Sequence, residues 1–190
     1  LLRAAGAGWT GVRGGTGGAH AVVLPELRTG ELARLWARTR RGLSAAPSRD
    51  PASLCARYGA EGGYRLLGVY EGGVLAGFAA VRPPRADGDP RLGGARVATV
   101  SELVVPVDRP AVLRALLRGA ETVARSLEAD ALLCTASHPA ARDALRRRAY
   151  LPFPGNVHLL LREPPGTAPL PRALSAWWLT RGDSHADEVF

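Results

Sequence analysis

The chain has 190 residues and a formal net charge of +8, because 25 basic residues outnumber 17 acidic ones. All 25 basic residues are arginine, and lysine, isoleucine, glutamine and methionine are absent. This bias is typical of a GC-rich coding sequence, so the charge is weak support for a nucleic-acid partner and we expect none. The length fits one domain, with or without a tail.

The cysteine content and the hydropathy pattern exclude several classes of protein. Cys55 and Cys134 are too few for a disulfide framework or a four-ligand zinc site, so we expect a reduced, cytoplasmic protein. No run of about 18 apolar residues predicts a membrane span, and no signal peptide is recognisable. The histidines lie on separate predicted elements, so we also expect no metal site.

The beginning of the chain leaves two interpretations open. Residues 1–21 loosely resemble the later stretch that starts at Ala144, so they are either an N-terminal tail or the end of a preceding domain of the same fold. Since the chain begins without methionine, we expect a fragment or a processed product. Residues 22–190 form the main predicted domain.

The first half of this domain predicts an edge strand, two helices and a hairpin. The strand covers residues 20–24, and Thr29 can cap the first helix. Asp50 is a good N-cap for the second helix, with Pro51 at its first position. Two strands then flank the turn Glu71–Gly73, which is the clearest hairpin signal in the chain.

The second half centres on a strand, a helix and a strand over residues 96–136. The helix has apolar residues at the spacing of one buried stripe, and both flanking strands are apolar on both faces at their centres, as in a sheet covered on both faces. Another helix follows over about 140–148, and further strands are predicted over 156–162 and 175–180. The order predicts an α/β fold, a mixed sheet of six or seven strands with helices on both faces.

This element order resembles that of the GNAT acyltransferases, the GCN5-related N-acetyltransferases, and the resemblance covers about residues 22–180. Several short motifs are similar to those in the GNAT-like domains of bacterial polysaccharide-biosynthesis acyltransferases, which are often tandem copies: Leu35-Trp36, Arg49-Asp50, Arg57-Tyr58, Gly77 and Trp178-Leu-Thr-Arg-Gly-Asp183. The resemblance implies a three-layer α/β fold and acetyl-CoA or another acyl-CoA as co-substrate. It also admits a second GNAT-like domain or a homodimer as partner.

In this family acyl-CoA lies where the strand corresponding to residues 99–105 bends away from its neighbour, and backbone groups of that strand bind the pantetheine arm. The resemblance therefore implies that the co-substrate is bound around Val104, Val105, Val107, Arg109 and Ala111. The turn VPVDRPAVL departs from the family's pattern, because it is about two residues shorter and lacks glycines. Its proline at position 110 also removes one N–H donor.

Arg109 has two interpretations at this turn. Its guanidinium can pair with a phosphate. Alternatively, Asp108 and Pro110 merely begin the following helix well, and Arg109 has no ligand. The sequence leaves both open.

Acyl transfer to an amine requires a base for the attacking nitrogen. The resemblance places Glu102 where several relatives keep a glutamate, and its apolar neighbours predict a raised pKa. Asp183 is the second candidate, since carboxylates after a hydrophobic stretch suit a cationic amine. We expect both carboxylates on one pocket, within roughly 12 Å. The alternatives are a rim carboxylate at Glu102 and a solvated terminus at Asp183.

One catalytic group of the family is missing, because Leu145 stands where a tyrosine acid is frequent and Tyr150 itself is expected in the core. The sequence therefore supports two functions. One is an acyl-CoA-dependent N-acyltransferase that acts on a small polar amine such as an amino sugar. The other is a non-catalytic GNAT-like module that supports an active domain elsewhere in a longer chain, and fold alone does not choose between them.

Overall fold

The computed structural model describes residues 19–152 and 169–184, and all structural statements below refer to these residues. Five strands form one sheet: β1 (Val22–Leu24), β2 (Arg65–Glu71), β3 (Val74–Arg82), β4 (Val97–Val104) and β5 (Ala131–Cys134). Four α-helices accompany them: α1 (Thr29–Thr39), α2 (Pro51–Tyr58), α3 (Pro110–Ser126) and α4 (Pro139–Arg146). The predicted mixed α/β architecture is confirmed.

The strands lie in sequence order across the sheet, from β1 to β5. Neighbours are antiparallel except β4 and β5, which are parallel and joined through α3. The predicted hairpin turn joins β2 to β3, with Gly72 and Gly73 at φ of +56° and +76°, a left-handed conformation that suits glycine. At α2, the Asp50 carboxylate accepts a hydrogen bond from the Ser53 N–H, as its predicted role as N-cap requires.

The predicted count of six or seven strands is not matched, because the described residues form five. Residues 175–180 were expected to be a strand, yet they begin in a 3-10 turn (Leu174–Ala176) and continue as extended chain. Their backbone pairs with the loop between α1 and α2 instead of a sheet neighbour, through a single bridge of Trp177 to Ala45. The strand predicted over 156–162 lies outside the described residues, as do residues 1–18.

Helices cover both faces of the sheet. On β3, Phe78 and Ala80 pack with the apolar residues of α1 and α2, whereas Ala79 and Val81 pack with those of α3 and α4. This alternation is the period-2 pattern of a strand buried on both sides. Among the described residues, no helix is long and apolar enough to cross a membrane.

Gly77 on β3 lets α3 approach the sheet closely. A Cβ there would lie 2.5 Å from Val112 Cγ1 and 3.0 Å from Leu116 Cδ1. We therefore expect Gly77→Val to lower the free energy of unfolding by about 1–3 kcal/mol through overpacking, as measured by urea denaturation. The matched control is Gly30→Ala in α1, where a Cβ meets nothing within 4 Å. An unchanged Gly77→Val variant would contradict the tight α3 contact.

Candidate functional site

The carboxyl half of β4 separates from β5. Their parallel pairing runs from Val97 with Ala131 to Val100 with Cys134, while the pairing of β4 with β3 continues to Val104. Beyond Val100 the two strands no longer pair, and we call the space between their ends the crevice. Open α/β sheets characteristically bind ligands at the carboxyl ends of their strands.

A bulge in β4 determines where Glu102 points. On β3, Ala80 pairs with Glu102 and the next residue pairs with Val100, so Ser101 is the extra residue. Val100 packs with the core under α3, whereas Glu102 contacts Arg49 from the loop before α2. The bulge thus directs the carboxylate away from the α3 side and toward the loop between α1 and α2.

Arg49 holds two carboxylates that are distant in sequence. Its Nε donates to Glu102 Oε1 at 2.9 Å, and its Nη2 donates to Asp183 Oδ2 at 2.6 Å. The side chains of Arg49 and Glu102 are 2% and 4% exposed, and that of Asp183 is 14% exposed. Thr180 adds a hydroxyl that donates to Glu102 Oε1 at 3.0 Å. Buried charges of this kind persist because they are paired and hydrogen-bonded.

The cluster shifts the pKa values of Glu102 and Arg49 for different reasons. Burial raises the pKa of Glu102, although the Arg49 guanidinium acts in the opposite direction and Asp183 adds to the rise. Burial works to lower the pKa of Arg49, but the facing carboxylates of Glu102 and Asp183 raise it above its ordinary value. The cluster therefore contains a permanent cation beside a carboxylate that accepts protons more readily than usual.

A turn near the C-terminus places Asp183 in this cluster. Residues Arg181–Asp183 form a 3-10 turn in which the Thr180 N–H donates to Asp183 Oδ2 at 2.7 Å, completing a capping box. Gly182 is tightly enclosed, since a Cβ there would collide with the Tyr58 hydroxyl and lie 2.8 Å from the Ser101 carbonyl oxygen. Only glycine fits between α2 and β4 at this point.

Both candidate carboxylates open onto one cleft of about 280 Å³, lined by Ser48, Arg49, Ser53, Leu54, Arg57, Tyr58, Glu102 and Asp183. The structure thus brings Glu102 and Asp183 together on one guanidinium, inside the expected distance. Their roles in catalysis stay predictions. At this volume, and with a largely polar lining, the cleft has room only for a small polar ligand.

The residues expected to bind the co-substrate are spread around the β4 to α3 turn. Val104 and Val105 have buried side chains, Val107 packs against Gly42, and Ala111 is exposed in the first turn of α3. Arg109 Nη1 lies 3.2 Å from Glu71 Oε2 on the hairpin turn. A second cleft of about 450 Å³ lies here, lined by Arg38, Thr39, Arg41, Gly42, Glu71, Ala76, Pro106, Val107, Asp108 and Arg109.

The position of the missing family acid is part of the core. Leu145 is 8% exposed and packs beneath α3, and Tyr150 packs against the same cluster. Burial raises the pKa of Tyr150, which favours the neutral phenol. Within the described residues, no group of three His, Cys, Asp or Glu side chains is placed to hold a metal ion.

Sequence reasoning missed the roles of Arg49, Thr180 and Trp178. Arg49 was noted only as part of a motif, although it is the residue that joins both carboxylates. Trp178 is 2% exposed, and its Nε1 donates to the Leu103 carbonyl of β4 at 2.9 Å. The signal in the sequence that could have indicated a shared role is that Trp178, Thr180 and Asp183 lie in one short motif.

Comparison with solved structures identifies the architecture. A ribosomal-protein-alanine N-acetyltransferase from Brucella melitensis biovar Abortus 2308 superposes with a TM-score of 0.55, at 17% identity over 76% of this chain and 99% of that one. An acetyltransferase of Trypanosoma brucei gives a TM-score of 0.51 at 16% identity over 75% and 99% of the two chains. The chain has the GNAT fold.

Likeness at this level of identity establishes the GNAT fold and nothing finer. A protein described as a transcriptional regulator from Bacillus halodurans C-125 also matches, with a TM-score of 0.50 at 15% identity over 76% of this chain and 99% of that one. No protein-family model matches the chain, and no curated protein matches its sequence.

Proposed function

We propose that this GNAT-fold chain is an acyl-CoA-dependent N-acyltransferase that acetylates a small polar amine. The observation that supports the proposal most strongly is the buried Glu102, which faces a polar cleft at the point where β4 leaves β5. A carboxylate with a raised pKa, beside a fixed cation and open to a cleft, suits general-base catalysis.

The chain's own residues have separable roles in this reaction. Glu102 takes the proton from the attacking nitrogen, so the neutral amine can donate its lone pair to an acyl carbon. Arg49 holds the Glu102 carboxylate in position through Nε. Asp183 offers a negative charge at the same cleft, which favours a cationic amine on arrival. When bound, acyl-CoA supplies an acyl group activated as a thioester.

The start of α3 fits an acyl-CoA, whereas the edge of β4 at Leu103 is already occupied. The N–H groups of Ala111 and Val112 lie in the first turn of α3, where they have no acceptor within the helix. Such groups can bind a phosphate. Arg109 lies at the same turn, where its guanidinium can add a charge-assisted bond. On the open edge of β4, Trp178 already uses the Leu103 carbonyl.

The acceptor that suits the cleft is a small amine bearing hydroxyl groups, such as an amino sugar. Ser48 and Ser53 offer hydroxyls, and Arg57 offers a guanidinium. We also propose a cytoplasmic location, a role in surface-polysaccharide synthesis, and a second GNAT-like domain or a homodimer as partner. These finer assignments rest on the family resemblance.

One observation favours the alternative function, a non-catalytic GNAT-like module. The turn before α3 has Pro110 at its first helical position and lacks glycine, so it offers a phosphate fewer backbone donors than the family's turn. In this alternative, the Arg49 cluster serves only to fix the C-terminal turn.

Calorimetric titration with acetyl-CoA separates the two functions. We expect saturable binding with a dissociation constant in the range of about 1 μM to 1 mM, where enzymes usually meet their substrates. Free CoA should compete for the same site, since both share the nucleotide and the pantetheine arm. The absence of heat at acetyl-CoA concentrations well above this range would favour the non-catalytic alternative.

A further inference from the structure

The chain's own C-terminal segment, residues 177–184, lies across the crevice between β4 and β5, and we call it the strap. It contacts both strand ends. On the β4 side, Trp178 Nε1 donates to the Leu103 carbonyl at 2.9 Å. Just beyond β5, the Ser137 hydroxyl donates to the Trp177 carbonyl at 2.5 Å and accepts from the Leu179 N–H at 2.9 Å. The strap therefore bridges the two strands where they have stopped pairing.

The strap uses the open edge of β4. The Leu103 carbonyl is taken by Trp178, and the Leu103 N–H donates to Glu102 Oε1 at 2.9 Å. Two residues earlier, the Ser101 carbonyl lies against Gly182, which leaves no room for a Cβ. A ligand that ran along this edge would have to replace these contacts.

The far end of the strap is anchored by buried charge. Asp183 binds Arg49, and Thr180 donates to Glu102, so strap and candidate base share one network. The Trp178 indole lies beside the His138 imidazole, with ring centroids 5.3 Å apart and the ring planes tilted by 41°. Opening the strap at Trp178 would break its contacts with Leu103 and His138, while Asp183 can stay paired with Arg49 at the cleft.

We propose that the strap is a gate that occupies the place of the acyl donor's arm along β4 and opens to admit it. The inference rests on the proposed function, because it assigns regulation to the same crevice. If the open state is a minor one, the apparent affinity for acyl-CoA is lowered by its population. Any change that weakens the closed strap then tightens the binding of acyl-CoA.

Trp178→Phe tests the gate, because it removes the indole N–H that binds Leu103 and keeps an aromatic ring in the core. One hydrogen bond of ordinary net strength corresponds to a factor of about 2 to 12 in a binding constant. We expect the variant to bind acetyl-CoA more tightly by that factor in calorimetry. Trp177→Phe is the matched control, since its Nε1 donates to the Pro171 carbonyl and not to β4. It should bind as wild type does.

Gly182→Ala is a second variant, in which the added Cβ collides with the Tyr58 hydroxyl and the Ser101 carbonyl and so displaces the strap. It keeps all polar groups of the strap. Its control is Gly30→Ala, which meets open space. Hydrogen exchange of residues 177–184 reports the opening directly. We expect faster exchange in Gly182→Ala, and in wild type when acetyl-CoA is added.

Each outcome decides the proposal. Equal affinity of acetyl-CoA for wild type, Trp178→Phe and Gly182→Ala would overturn the gate and leave the proposed acyltransferase intact. Protection of residues 177–184 on adding acetyl-CoA would also overturn it, because the donor would then bind with the strap closed. If acetyl-CoA binds to no variant, although exchange shows the strap open in Gly182→Ala, the proposed function fails together with the gate.

Discussion

Replacing Arg49 by methionine is expected to destabilise the folded chain by about 3–5 kcal/mol, the cost of leaving buried carboxylates without their cation. Glu102 and Asp183 both bind this guanidinium, and its side chain is 2% exposed. Methionine keeps much of the apolar length of arginine, so the loss reports mainly the charge. Urea unfolding at neutral pH measures it.

This deficit should grow as the pH rises. Without the guanidinium, burial raises the pKa of Glu102 still further. When the pKa of a carboxyl is higher in the folded than in the unfolded state, the protein loses stability as the pH rises from the unfolded to the folded pKa. The Arg49→Met variant should therefore lie nearer to wild type at about pH 5 than at about pH 8.

Arg57→Met is the matched control for Arg49→Met. Arg57 is exposed on α2 and lines the same cleft, so its replacement should change the unfolding free energy by about 0.5 kcal/mol or less. Similar small losses in both variants would contradict the account of Arg49 as the buried partner of two carboxylates.

Glu102→Gln is expected to lower the rate of acetyl transfer by about 10²- to 10⁴-fold, the usual contribution of a general base. The amide has nearly the same shape as the carboxylate, but it cannot take a proton from the attacking amine. Arg49 keeps its pair with Asp183 in this variant, so the cluster retains one charged contact. Initial rates with acetyl-CoA and glucosamine measure the effect, and unfolding curves confirm that the variant is folded.

The sequence predicted the parts of the fold that depend on local patterns. The turn at Gly72 and Gly73 requires left-handed backbone, and Asp50 caps α2 within one turn of itself. The helix α3 follows from one apolar stripe and two flanking strands. In each case the decisive residues are neighbours in the chain, so their spacing is enough.

The Arg49 cluster could not be predicted in this way. Arg49 lies 53 residues from Glu102 and 134 residues from Asp183, and it is brought to them only by the bulge in β4 and the C-terminal turn. An arginine after a Ser- and Pro-rich loop is ordinarily a solvated residue. Glu102 was singled out by the family resemblance and its apolar neighbours, and Asp183 by the hydrophobic stretch before it, but neither signal names Arg49 as the partner.

The error at residues 175–180 has a tertiary cause. Their apolar, aromatic character is typical of a strand, but a strand also needs a neighbour with which its backbone pairs over several residues. The backbone N–H of Trp178 instead donates to the Ala45 carbonyl at 2.9 Å, and the indole N–H of Trp178 donates to the Leu103 carbonyl. The loop between α1 and α2 therefore takes the place that a sheet neighbour would have.

The central claim, that Glu102 is the base of an acyl transfer, is tested most directly by the pH dependence of CoA thiol release from acetyl-CoA with glucosamine and related polar amines. Wild type should transfer acetyl groups above the spontaneous rate, with activity rising through a pKa above the ordinary value of glutamate, since burial raises the pKa of Glu102. Glu102→Gln should lose that rise. Equal rates in both proteins across the pH range would contradict the claim.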